Sequence, residues 1–415
     1  MSATLSRVNL YEALTNAARV ADKSGKLAFA KFARIEAKAT DRNVMITTFN
    51  GQTAIESIIA GDVADDILAY LDTETLLHLV TAMPEGAITL TLKSNDLLIT
   101  TGDGKQKHNL KIGADVEIPV IAGSTKTSLA MISGIELRRL CRAVKFASTN
   151  EGQPSLMTVH VAFNKPGEKT VVVVASATDG FAAVQSLAPA ISCTKDAVGK
   201  AITFPASFVA LMLEAVRPDD QVEIHQSGEN RFIVAVTNDK TGKNLALAST
   251  ESAAVPPVKE IAEMIKSTKD KANVTIELET AALVNALDIV GAYSNGDKDP
   301  ANLFLAIQGG LIRYASSPTD NGQCRAVLDG TVAGPDTSRW FAPTIFRKAV
   351  SLMPEKTRAV LSTDLAALPI LFVGDNVRVM VAPLAKSSQP DVEFDEATAI
   401  ELPIEMKAAA KVVAA

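Results

Sequence analysis

The chain has 415 residues, a formal net charge of −6, 47% hydrophobic residues and only 5% aromatic ones. That length holds two to four domains with their own cores, in an ordinary globular balance. It excludes a surface coated throughout with positive charge for nucleic acid, though not a local basic patch, and so few aromatics speak against base stacking on single strands.

The first predicted element is a helix over Leu10 to Lys23. Leu10, Leu14, Ala17 and Ala21 form its core side, with Arg19 and Lys23 away from it. Strand-like sequence follows at Val44 to Thr48. Next comes a helix over Thr75 to Val80, the turn Met83-Pro84-Glu85-Gly86, and an alternating strand over Ala87 to Leu92. Small and polar residues near Ala122 to Thr127 mark a boundary. A helix over Gly134 to Phe146 carries Leu137, Leu140, Cys141 and Val144 on one stripe. Arg138, Arg139, Arg142 and Lys145 lie on another face, opposed by Glu136. The apolar strand Val171 to Ser176 follows. A helix over Phe208 to Val216 then runs into Arg217-Pro218-Asp219-Asp220 and the strand Gln221 to His225.

Prolines and then lysines over Ala253 to Asp270 suggest a second boundary. The last third repeats the pattern: a helix over Ala281 to Tyr293, a strand over Leu303 to Ile307, and a helix over Ile345 to Leu352 carrying Arg347 and Lys348. The turn Met353-Pro354-Glu355-Lys356 and the strand Arg358 to Leu361 complete it. Three times, then, a helix meets a Pro-acid turn and a strand, at a spacing of roughly 135 residues, which is a domain rather than a solenoid repeat. Proline stops each helix and the acidic residues suit an exposed turn. Two helices and many short strands per third make an α+β domain with helices packed on sheets.

The chemistry-bearing motifs are few. There is no Walker A loop, GxSxG, HExxH or GxGxxG, and His78, His108, His160 and His225 are scattered singly. Cys141, Cys193 and Cys324 are odd in number and far apart, and read as buried free thiols rather than a zinc site or disulfides. No cofactor and no metal is expected. No apolar run reaches the roughly 20 residues that span a bilayer, and Met1 to Val8 has no apolar signal core, so a cytoplasmic protein is expected. Basic helix faces are usually solvated surface. Their alternative is contact with a phosphate backbone, which is sequence-independent and salt-sensitive.

Several motifs resemble, in order and spacing, those of the bacterial DNA polymerase III beta subunit family, the beta sliding clamps. Ala177-Thr178-Asp179-Gly180 looks like the middle domain's Ala-Thr-Asp-Gly, and Ala143 to Ser148 with Leu156 resembles the entry to that domain's first sheet. Tyr293-Ser294-Asn295 resembles a helix end of the third domain, Met83-Pro84-Glu85-Gly86 the Leu-Pro-Glu-Gly of the first, and Val377 to Leu384 the C-terminal strand. The likeness covers about residues 5–384. It implies three similar clamp domains, 1–124, 125–262 and 263–384, followed by a C-terminal tail over 385–415. Two chains would close head-to-tail into a homodimer ring of pseudo-sixfold symmetry, helices lining the hole. The implied function is non-enzymatic: encircling double-stranded DNA and tethering a DNA polymerase, with polymerase and clamp-loader subunits bound through short hydrophobic peptides.

Carried over by position, the resemblance implies a partner-peptide pocket at Leu156, Thr178, Gly180, Phe181, Ala182, Ala183, Pro256, Ile261, Met380, Val381 and Ala382. It implies DNA contacts from Lys23, Lys26, Arg138, Arg139, Arg142, Lys145, Asn150, Gln153, Lys298, Arg347 and Lys348. It implies a dimer interface pairing Lys107, His108 and Leu110 with Ala292 and Tyr293. The pattern departs where Phe181-Ala182-Ala183 stand for His-Arg-Leu, Met380-Val381-Ala382 for Met-Pro-Met, and Glu260 for an arginine. Gln389, Val392 and Phe394 in the tail resemble the Gln-plus-hydrophobic peptides that clamps bind, which would put the tail in the chain's own pocket. Two other readings stay open: a clamp-like accessory that has left replication, as on a plasmid or phage or as a resistance duplicate, and an enzyme whose site motif is not visible.

Overall fold

A computed structural model describes residues 1–22, 27–113, 118, 126–147, 153–165, 171–294, 301–317, 319–363 and 368–384, with Val144 and Lys145 by backbone alone. The chain forms two compact units. The first comprises Met1–Cys141, Val161–Val174 and Ala188–Ala253; the second comprises Arg142–His160, Ala175–Leu187 and the chain from Ala254 onward. Among the described residues there are seven α-helices. The first unit holds α1 (Arg7–Ala18), α2 (Thr73–Ala82), α3 (Gly134–Cys141) and α4 (Ala206–Ala215). The second holds α5 (Val258–Asp270), α6 (Thr280–Ala292) and α7 (Pro343–Val350).

The repeat expected from the prolines is present as hydrogen bonds. In each copy one strand feeds a first helix, and that strand pairs antiparallel with the strand that follows the second helix. Ser2–Ser6 pairs with Ala87–Lys93, Thr127–Ser133 with Gln221–Gln226, and Val274–Glu279 with Lys356–Leu361. The Pro-acid turn sits where these strands meet the helix. The first amide of α1 donates to Gly86 O at 2.9 Å, that of α3 to Asp220 O at 2.7 Å, and that of α6 to Glu355 O at 2.8 Å. A helix start has four orphan N–H groups, and the turn satisfies one of them in all three copies. The first and second helices of each copy then pack together, α1 on α2, α3 on α4 and α6 on α7.

Sequence explains the interiors. Leu10, Ala13, Leu14 and Ala17 of α1 are buried against Leu76 and Val80 of α2 and the strands beneath. In the second copy Phe204, ending a strand, meets Phe208 of α4 at 5.3 Å and Phe232 edge-on at 5.8 Å. In the third, Phe341 holds the same place against Phe346 of α7 at 4.9 Å, and Phe346 meets Phe372 at 5.1 Å. Edge-to-face and tilted rings at these separations add to plain burial.

Adjacent copies join edge to edge. Thr53–Val63 of the first pairs through Thr53 to Ser57 with Lys243–Thr250 of the second. Ala182–Pro189 pairs in the same manner with Val377–Val381. Two strands in corresponding places lack such a neighbour among the described residues: Lys107–Lys111, which ends its sheet, and Arg325–Leu328, which ends another.

Four expectations are corrected. The helix from Leu10 stops at Ala18 rather than Lys23. The helix from Gly134 is α-helical only to Cys141 and continues to Phe146 as a 3₁₀ turn. The Pro- and Lys-rich stretch read as a boundary contains α5, whose Ile261, Ile265 and Thr268 are buried at helical spacing; the division placed between residues 262 and 263 falls inside it. The thiols are free, but only Cys141 is buried, while Cys193 and Cys324 are half-buried.

Candidate peptide site and basic helix faces

The clearest surface for a short peptide lies in the second unit, where four segments meet. Thr158 Oγ1 donates to Ala254 O at 3.1 Å and to Ser155 O at 2.8 Å, fastening the segment around Leu156 to the one before α5. Leu156 reaches the turn at Gly180, lying 3.8 Å from where a side chain there would begin. The amide of Ala382 donates to Phe181 O at 2.9 Å, and that of Leu384 to Trp340 O at 2.9 Å.

The Thr178-Asp179-Gly180 sequence makes the turn that presents this surface. Asp179 Oδ1 accepts from the amides of Phe181 at 3.0 Å and Ala182 at 2.8 Å, a side-chain mimic of a backbone turn. Thr178 Oγ1 donates to Ala182 O at 2.7 Å and accepts from Gly180 N at 3.1 Å. Gly180 takes φ +90°, which an L side chain rarely adopts. Locked in this way, the turn turns Phe181 outward, 67% exposed, with Val255 also exposed nearby in sequence to buried Pro256. An exposed ring next to the Gly180 turn that partly buried Leu156 reaches is the apolar anchor point that a hydrophobic peptide needs.

Of the eleven pocket positions Pro256 is buried ahead of α5, and the other ten divide into three groups. Leu156, Gly180, Phe181 and Ala382 reach the surface. Thr178 and Ala182 build the turn. Ala183, Ile261 and Met380 are instead core: they pack with Ile265, Val360 and Leu371, fixing α5 to the sheet, and Val381 is buried as well. Met380 thus lies beneath the surface positions. The strand is buried on both faces, so the surface positions fall at Ala382, Pro383 and Leu384, two residues further on.

The basic positions also differ among themselves. Arg138 donates through one nitrogen to Leu213 O at 2.5 Å and Val216 O at 2.6 Å, capping the C-terminal end of α4, where a cation meets the negative end of the helix dipole. Arg7 does the same for α2, through Val80 O and Thr81 O. Both cations tie helix ends together, Arg138 among the predicted DNA-facing residues. Arg139 grips both oxygens of Glu136 at 2.8 and 2.7 Å. Arg347 pairs with Asp288 of α6 at 2.8 Å, with both groups about half exposed. Arg142, Gln153 and Lys348 are exposed. Lys23, Lys26, Asn150, Lys298 and the side chain of Lys145 lie outside the described residues, as do Gln389, Val392, Phe394 and the rest of the tail.

Of the interface candidates, Lys107, His108 and Leu110 occupy the sheet-ending strand, and Leu110 packs on the first copy's core. Ala292 closes α6, and Tyr293 caps it while its carbonyl accepts from Thr319 Oγ1 at 2.6 Å. Among the described residues no three His, Cys, Asp or Glu side chains are placed to hold a metal ion, and no helix is long and apolar enough to cross a membrane. Sequence reasoning missed the strand Arg325–Leu328 and the surface residues Pro383 and Leu384. A proline two positions past the end of an apolar strand was the available signal for the latter pair.

No protein-family model and no curated protein sequence matches the chain. Its fold does have solved counterparts. The DNA polymerase sliding clamp of Bacillus subtilis superposes with a TM-score of 0.79 at 16% identity, covering 93% of this chain and 99% of that one. The beta sliding clamp of Caulobacter crescentus gives 0.78 at 18% identity, covering 93% and 99%. The DNA polymerase beta subunit of Streptococcus pyogenes gives 0.79 at 16%, covering 92% and 100%. The fold is that of the sliding clamps, an α+β architecture of helices on antiparallel sheets. Within that class the match is to the bacterial DNA polymerase III beta subunit, and this chain is a divergent instance of its fold.

Proposed function

We propose that the protein is a DNA sliding clamp: two chains close head-to-tail around double-stranded DNA and tether a replicative polymerase, without catalysing a reaction. The observation that carries this reading is the unfinished edge-to-edge series. The first copy joins the second and the second joins the third through corresponding strands. What remains is Lys107–Lys111 at one end and Arg325–Leu328 at the other. Pairing these between two chains continues the rule, satisfies both edges and yields six copies in a closed series. The interface is then strand to strand, with Lys107, His108 and Leu110 facing Arg325–Leu328, and Ala292 and Tyr293 at its margin.

Held by closure, DNA needs no sequence-specific contact. Arg142, Arg139, Arg347 and Lys348, with Lys23, Lys26, Lys145, Asn150, Gln153 and Lys298, supply sequence-independent attraction to phosphates. Leu156, Phe181, Ala382 and Leu384 receive the hydrophobic peptides of polymerase and clamp-loader subunits, and tethering raises the polymerase's effective concentration at the primer end. The three domains are taken as 1–124, 125–262 and 263–384, and the protein as cytoplasmic.

The test is retention on circular DNA. Loaded onto a nicked plasmid, the protein stays bound in high salt and is released when the same plasmid is cut once. Leu110→Asp and Val327→Asp each reduce the native mass from two chains to one and abolish retention. Salt-resistant binding that survives linearisation, or a wild-type protein that remains a monomer, removes the topological mechanism.

A further inference from the structure

One sheet face differs between the first and third copies in a way that the shared fold does not demand. In the third copy the strands run in the order Arg325–Leu328, Leu311–Ser316, Leu303–Gln308, Thr337–Phe341. One face carries buried Leu303, Leu305, Tyr314 and Phe341, the last against α7. Cross-strand partners share a face. The register therefore gathers Phe304, Ala306, Arg313, Ala315, Arg325 and Trp340 on the other side: Phe304 opposes Trp340 and Ala315, Ala306 opposes Arg313, and Ala315 opposes Arg325. The Phe304 and Trp340 rings lie 4.9 Å apart, Trp340 is 6% exposed, and Arg313 keeps a buried Nε without a hydrogen-bond partner among the described residues.

The corresponding face of the first copy mixes acids and threonines with Met45, Ile58, Leu68 and Tyr70, and has no aromatic pair between arginines. Arg34 is held by Glu36 at 2.7 Å, and Thr47 donates to Glu56 at 3.3 Å. An aromatic pair beside arginines instead suits an occupant that is both aromatic and acidic.

The chain supplies one. Leu384, the last described residue, donates to Trp340 O at 2.9 Å, so the chain leaves the described structure against this sheet. A further 31 residues follow, and they include Asp391-Val392-Glu393-Phe394-Asp395-Glu396, where acids alternate with apolar side chains. Phe394 is ten positions past Leu384, a reach of up to about 30 Å when extended, enough to cross several strands. We infer that the segment Asp391–Glu396 docks on this outer face, with Phe394 against Phe304 and Trp340 and its carboxylates toward Arg313 and Arg325. This differs from placing the tail in the peptide site, and it stands whether or not the protein is a clamp.

Trp340 is the chain's one tryptophan, so its fluorescence reads this face alone. Deleting residues 386–415, with far-ultraviolet dichroism checked to show a retained fold, shifts the emission to the red and raises acrylamide quenching severalfold. Phe394→Ala in the full chain gives the same direction of change. Added sodium chloride moves the intact protein toward the truncated one, and a synthetic peptide of residues 388–400 restores the truncated protein's emission. Identical emission and quenching in the full chain, the deletion and Phe394→Ala overturn the inference, as a tail seated in the peptide site would produce. Trp340 protection that depends on protein concentration also overturns it, because a second copy would then be the cover.

Discussion

The turn after α4 and the turn after α7 accept the same amide from the same kind of helix, yet they are built from different materials. In the second copy the support is a buried charge network. Asp220, its side chain wholly buried, accepts from Lys243 Nζ at 2.6 Å, from Asn238 Nδ2 at 3.0 Å and from the amide of Arg217 at 2.7 Å. Lys243 also reaches Ala215 O at 2.7 Å, joining Arg138 at the end of α4. In the third copy Thr280 Oγ1 donates to Pro354 O and lies 2.8 Å from Thr357 Oγ1, while Lys356 and Glu279 meet at 3.9 Å in solvent. A backbone geometry can thus be conserved between repeats while its tolerance to change is not.

Substitutions sharpen that contrast. Asp220→Ala leaves Lys243 buried without its partner and is expected to cost about 4 kcal/mol, because breaking one side of a buried pair strands the other charge; urea denaturation measures it. Gly134→Ala is next. A Cβ there would fall 2.0 Å from Arg217 O and 3.0 Å from Asp220 O, both backbone, and the resulting overpacking costs about 3 kcal/mol. In the third copy, Thr280→Val removes a hydroxyl bond for about 1 kcal/mol. Lys356→Ala changes the melting midpoint least, at under about 0.5 kcal/mol for an exposed pair. Equal losses at Asp220 and Thr280 would erase the distinction between the two turns.

Cys141 adds a pH test confined to the second copy. Burial raises its thiol from the ordinary 9.0 to about 12, with the charge of Arg138 partly opposing. The folded state therefore holds the proton more tightly than the unfolded one. This contribution is fully present below pH 9.0 and is lost as pH rises toward about 12. Cys141→Ala should flatten that alkaline limb. Alkylation of native protein at pH 8 should mark Cys193 and Cys324 before Cys141, and a limb unchanged by the substitution would mean that other groups set it.

How far the sequence could be read follows from where its signals are local. Proline and acid at each turn are local, and so the threefold pattern emerged from the chain alone and reappeared as strand pairs and amide contacts. The Asp179 turn is equally local. α5 was misjudged because its prolines and lysines suggest a boundary, while the stripe of Ile261, Ile265 and Thr268 has meaning only against the sheet. Arg138 looked like one of four similar cations because its receptors, Leu213 and Val216, are 75 and 78 positions away. The depth of Met380 is not legible because a strand buried on both faces has no alternation from which to read its parity.

In the proposed ring the two unjoined strands, Lys107–Lys111 and Arg325–Leu328, pair between chains, and each chain then behaves as a monomer does in polymer chemistry. A chain ending in two mutually reactive groups is a bifunctional monomer, and it either cyclises or extends. Which happens depends on whether the rotation accumulated over six joints returns the last group to the first, and dilution favours the cycle because its final bond is intramolecular. If the proposed ring holds, a substitution that alters a joint, even one far inside a chain, acts on the product distribution and turns small closed species into open fibres.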